Sequence, residues 1–108
     1  MEVKDLRIGN YVFDRGNPTD LKPSQLVNII EGRYVIYQSI TLTVEWLLKF
    51  GFKQIDKYTF VKGKHFIYHR KRGFVTGSTK REVKLNFVHI LQNWWYFNNN
   101  LEELIKEE

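Results

Sequence analysis

The sequence predicts a single α+β domain over residues 1–108: a small antiparallel β-sheet, strung as a meander, with two helices packed on one face. Three observations carry that expectation. Between Lys53 and Leu85, short runs of alternating aromatic and basic residues are broken by glycine turns, the signature of short strands. Residues 42–52 form an apolar block with a helix start and a helix stop at its two ends. Residues 87–101 place apolar side chains at the helical period.

The elements follow in order. Arg7–Asp14 (RIGNYVFD) predicts a first strand, and Gly16-Asn17-Pro18-Thr19-Asp20 predicts a turn. Ser24 precedes QLVNII, whose spacing favours a short helix capped by Ser24, although its β-branched residues leave a strand open. Arg33–Gln38 predicts a strand. In Leu42–Phe52, Thr43 is placed to cap a helix and Glu45 lies in its first turn. Leu42 and Leu47 have staple spacing, and Gly51 is placed to end the helix with Phe52 folding back on Leu47. Strands are expected at Tyr58–Val61, Lys64–Arg70, Phe74–Thr76 and Val83–Leu85, with turns at Lys62-Gly63 and Lys71-Arg72-Gly73 and a loop over residues 77–81. Asn86 is placed to cap a longer helix carrying Phe87, Ile90, Leu91, Trp94, Trp95 and Leu101, interrupted at Asn98-Asn99-Asn100, with His89 at its third position. Residues 101–108 predict a last acidic turn or two.

A chain of 108 residues with 43% hydrophobic and 16% aromatic content can bury one core without staples. The absence of Cys excludes a disulfide scaffold, a thiolate metal site and a Cys nucleophile, and fits a reducing cytosol. No apolar run approaches the ~20 residues of a membrane span, and MEVKDLRIGN has no apolar leader core, so no membrane partner is expected.

The net charge of +5 is unevenly placed. Residues 1–52 are neutral, residues 53–85 carry ten basic against two acidic side chains, and residues 101–108 are net −3. A local +8 concentrates anionic partners. Within it Tyr58, Phe60, Phe66, Tyr68 and Phe74 alternate with the cations. Aromatic stacking beside phosphate-pairing cations is how single strands and RNA are held. The competing reading turns each aromatic to the core and each cation to water. Lys62, Lys64, Tyr68, Arg70, Lys71, Arg72, Lys80, Arg81 and Lys84 are the expected partner-binding residues. Trp94-Trp95-Tyr96-Phe97 cannot all face one side of a helix, so Trp94, Trp95 and Tyr96 are candidate aromatic anchors. The acidic tail is a candidate for folding back on the basic segment.

No catalytic residue, metal or cofactor is expected. His65 and His69 have the spacing that binds metal on a helix, but on a strand they stand about 13 Å apart. Either of them with His89 and a nearby cation could in principle serve a metal-independent ribonuclease, though no spacing demands it. Gly73–Lys80 fails the order of a phosphate loop, and Ser24, Ser39 and Ser78 lack an elbow motif.

Three stretches carry a resemblance: Leu6–Val12 (LRIGNYV), Ile40–Phe52 (ITLTVEWLLKFGF) and Val88–Asn93 (VHILQN). In order and spacing they resemble a family of small proteins from phages and integrated elements of the Bacteroidetes group. The chain departs from that pattern at Thr41, where the family usually has Pro, and at Asn98–Asn100, where it usually has Thr-Gly; residues 62–82 are also unusually basic. The family has no general activity, so no functional residue is carried over. The resemblance implies a mobile-element product acting in the bacterial cytoplasm on a host effector protein or ribonucleoprotein. The role expected is an anti-CRISPR that binds an RNA-guided type VI effector nuclease or its guide RNA. The alternatives are a non-specific RNA- or DNA-binding accessory protein of the element and, less favoured, the ribonuclease.

Overall fold

The structure, a computed structural model, describes residues 5–31, 37–77 and 82–106. The expected strand start at Arg33 and the loop carrying Lys80 and Arg81 lie outside those residues. The class is α+β, with antiparallel strands in two sheets and with three helices among the described residues.

The first sheet has the order β2-β1-β3, from β1 (Tyr11–Asp14), β2 (Asn17–Asp20) and β3 (Tyr37–Ser39). The turn expected across residues 16–20 is tighter. Arg15 and Gly16 both take positive φ, 53° and 83°, and the chain reverses on these two residues. Asn17 to Asp20 then pair with β1, and Pro18 is tolerated because β2 is an edge strand. Helix α1 (Pro23–Ile30) resolves the helix-or-strand alternative in favour of the helix. Ser24 is not its cap. Pro23 starts the helix two residues earlier, with Lys22 at the cap, and the Gln25 side chain accepts from the Lys22 backbone N–H at 2.9 Å. Leu26 and Ile29 of α1 cover a small core of Leu6, Val12 and Leu21.

Helix α2 (Val44–Lys49) starts and stops where the residues direct. Thr43 Oγ1 accepts from Trp46 N–H, and Glu45 lies in the first turn. At the other end Gly51 takes φ +89°, its N–H donates to Leu48 O, and Phe52 N–H donates to Leu47 O. That pair of bonds closes the last turn and sends Phe52 back into the core.

The second sheet is a five-stranded meander, β4-β5-β6-β7-β8. Its strands are β4 (Lys53–Asp56), β5 (Thr59–Lys62), β6 (His65–Arg70), β7 (Gly73–Thr76) and β8 (Val83–Lys84). β4 has no counterpart among the expected strands, because all four of its residues are exposed at a sheet edge and show no apolar alternation. Phe60, Ile67 and Phe74 point inward beneath α2 and the third helix, α3 (Val88–Asn98), and form the main core with Trp46, Leu47, Phe50, Leu85, Val88 and Leu91.

Asn86 is not the cap of α3. The N-cap is Phe87, which places His89 second in the helix, and the first helical N–H, that of Val88, donates to Ile40 O at 2.8 Å. The Asn86 side chain instead fills the space over Gly73, where a Cβ would meet Asn86 Oδ1 at 2.6 Å. The helix ends at the three asparagines, with Asn100 and Leu101 at φ 54° and 61°.

Gln92 and Asn93 join α3 to the start of the chain. Gln92 is fully buried; its Oε1 accepts from Tyr11 N–H at 2.8 Å and its Nε2 donates to Gly9 O at 3.2 Å. Asn93 Oδ1 accepts from Asn10 Nδ2 at 3.0 Å and from Arg7 Nε at 2.8 Å, while its Nδ2 donates to Asp5 O. Arg7 also pairs with Glu103 at 2.6 Å. Residues 101–106 form no helical turn, and the last two acidic residues lie outside the described residues. Leu104 is buried in the main core, and Lys106 lies over Tyr11 and Trp46 at 4.5 and 4.8 Å.

Gln92→Ala leaves the half-buried Tyr11 N–H and Gly9 C=O without their partner and empties the space of a fully buried side chain. The expected loss is about 3 kcal/mol, a fall of roughly 10–20 °C in thermal midpoint followed by circular dichroism. Asn98→Ala, which loses only a surface bond within its own helix, should stay within about 0.5 kcal/mol. Gly51→Ala puts a Cβ on a left-handed residue and should cost about 1–2 kcal/mol in a urea titration.

Candidate nucleic-acid interface

Strand alternation sorts the basic segment onto two faces. On β6, His65, Ile67 and His69 point inward and Phe66, Tyr68 and Arg70 point outward, as the KHFIYHR pattern predicts. The register extends this across the sheet. Lys53, Val61 and Phe66 form one outward row, and Thr59, Tyr68, Val75 and Lys84 form another. The outer face is thus an apolar and aromatic strip with a lysine at each side. On this face Phe66 is 43% exposed, while Val75 is buried.

The cations cluster at one end of the strip. Arg70 places its guanidinium over the Tyr68 ring, 5.2 Å from the centroid. The turn after β6 presents Lys71 and Arg72, both exposed. Together with Arg70, Val75 and Lys84 they line a cleft of about 350 Å³. A second cleft, of about 390 Å³, opens beside Phe66 and Tyr68 with Lys64 and Trp94 in its wall. Of the expected binding residues, Lys64 and Tyr68 line the second cleft, and Arg70, Lys71, Arg72 and Lys84 line the first, at the other end of β6.

Lys62 stands apart. It shares the inward side of β5 with Phe60, donates to Phe50 O at 2.6 Å and lies 5.7 Å from the Trp95 ring. Of the aromatic anchors, Trp94 and Trp95 are half-buried against the His65 ring at 5.1 and 5.2 Å. Tyr96 lies beneath the Arg7 guanidinium at 4.0 Å. The exposed member of the quartet is Phe97, at 67%. Phe66 and Lys53, which the register places on the outer face, are absent from the residues expected to bind. The alternation of β6 already placed Phe66 beside Tyr68, so that signal was present in the sequence.

Phe60 and Phe74 do turn to the core, but Tyr58 and Phe66 do not, so each reading of the aromatic alternation holds for part of the segment. The histidines have separate neighbours. His65 Nε2 meets Asn99 Oδ1 at 3.0 Å, and His69 stacks on Phe74 at 4.3 Å. His89 is buried beside Phe87, and burial pushes its pKa below the ordinary value of 6.5, with Asp5 opposing the shift. Among the described residues no three His, Cys, Asp or Glu side chains gather as a metal site, and no helix is long and apolar enough to cross a membrane.

The depressed His89 pKa has a definite sign. Below about pH 6.5 the unfolded chain takes up a proton at this position before the folded one does, so stability falls as pH drops through that window. Urea midpoints at pH 7.5 and 5.0 should fall more for the native chain than for His89→Gln, and equal falls would remove His89 as the cause.

No protein-family model, curated protein or solved structure matches the chain.

Proposed function

We propose that the chain is a non-enzymatic binding protein that takes single-stranded RNA on the outer face of its five-stranded sheet. In this reading it is a phage or mobile-element product of the bacterial cytoplasm, and the RNA is the guide strand of a type VI effector, whose nuclease it inhibits. The observation that carries the reading is the placement of Phe66 and Tyr68 at alternate positions of β6, both outward, with Arg70 on the Tyr68 ring and Lys53 and Lys84 at the two sides. Unpaired bases have open π-faces that stack on exposed rings, at about 1–3 kcal/mol per base. Phosphates beside those bases meet the Arg70, Lys71, Arg72 and Lys84 cations. A duplex hides its base faces, so it gains the charge attraction without the stacking. The non-enzymatic part is supported by the three histidines, each of which sits against a different aromatic neighbour.

A stacking platform carries no base-reading code, and this favours a second reading, an accessory protein that coats free RNA of the element. Fluorescence anisotropy with a labelled single-stranded RNA separates the cases. Phe66→Ala/Tyr68→Ala should weaken binding roughly 10- to 100-fold. Arg70→Glu/Lys71→Glu/Arg72→Glu should flatten the log–log salt slope by about 2. Unchanged affinity in the aromatic variant would sink the sheet-face reading. Capture of an effector from host lysate that survives nuclease treatment supports the inhibitor; recovery of RNA alone supports the accessory protein.

A further inference from the structure

The far side of Lys84 opens on a feature that the sheet face does not use. A cleft of about 390 Å³, within the range of small-ligand sites, lies between the start of α3 and the end of β3. Its wall holds Asp5, Ser39, Lys84, Asn86, Phe87 and His89. His89 is 2% exposed, and its buried Nδ1 has no hydrogen-bond partner among the described residues. Buried polar atoms are nearly always paired, so an unpaired Nδ1 just behind the wall singles this cleft out. Phe87 stands next to it, 39% exposed, with its ring almost parallel to the imidazole at 5.9 Å. Asp5 is close enough to act on the His89 charge.

The geometry points to a nucleotide site, with the base against the exposed Phe87 ring and the phosphate on Lys84. Lys84 and Asn86 line both this cleft and the basic cleft of Arg70 and Arg72. A strand on the sheet face can therefore pass its phosphate over Lys84 and drop its next base into the pocket. Guanine is the base that fits. Its adjacent ring N–H and exocyclic amino group match the two oxygens of a carboxylate, which Asp5 supplies. The inference rests on the RNA-binding reading and adds to it a terminal, base-selective contact.

The test is an NMR titration of the intact protein with GMP, AMP and inorganic phosphate. GMP should give saturable shifts at the Asn86, Phe87 and His89 amides and move the His89 Nδ1 resonance, while phosphate leaves that resonance in place and AMP binds several-fold more weakly. Lys84→Ala, at an exposed position, should weaken GMP about tenfold. No GMP response, a phosphate response equal to it, or an equal AMP response would overturn the assignment. RNA anisotropy run in parallel keeps the two readings apart. RNA binding that needs Phe66 and Tyr68, with GMP inert, removes only the pocket. A GMP response with RNA indifferent to those rings removes the sheet face and leaves the pocket standing.

Discussion

The rest of the structure depends on two side-chain amides, those of Gln92 and Asn93. They supply to residues 5–11 the hydrogen bonds that a neighbouring strand would otherwise give: Gln92 takes the Tyr11 N–H and gives to the Gly9 carbonyl, and Asn93 reaches the Asp5 carbonyl and the Asn10 amide. In a dry interior such a network is strong when complete and costly when any member is missing. It fixes β1 against α3, and α3 in turn roofs the inner face of the meander. The sheet's outer face stays open because the helices of the main core gather on its inner side.

Legibility in the sequence followed the range of the interaction. Helix α2 could be read to its last residue because Thr43, Glu45, Gly51 and Phe52 act within one turn of their own position. The caps of α1 and α3 differ from the local pattern for separate reasons: Pro23 suits a first helical position and Gln25 bonds back to Lys22, while the first N–H of α3 finds the distant Ile40 carbonyl. Strands β2 and β4 lie at sheet edges, so neither shows the alternation that a half-buried strand acquires. The amide network was invisible for a different reason. Gln and Asn on a helix read as solvent-facing, and only the packed chain shows that Gln92 is enclosed.

The candidate interface was legible as a list of cations and rings but not as a surface. Alternation told which residues of β6 share a side; it could not tell which side the helices would leave bare. Lys62 shows the limit, since its charge suggested a surface role and its period placed it beneath the sheet with Phe60. The aromatic quartet shows another. Trp94, Trp95 and Tyr96 were drawn into contacts with His65 and Arg7, and the ring left in water was Phe97.

The Gln92 contact also joins positions 81 and 83 residues apart in the chain. On a ribosome adding about 5–20 residues per second, Gly9 and Tyr11 emerge roughly 4–16 s before the side chain that satisfies them. The Gly9 carbonyl and the Tyr11 N–H must therefore be met by water until α3 appears. Closure is a late event set by translation speed, and a slow codon stretch ahead of Gln92 would lengthen the interval in which the N-terminal sheet lacks its partner.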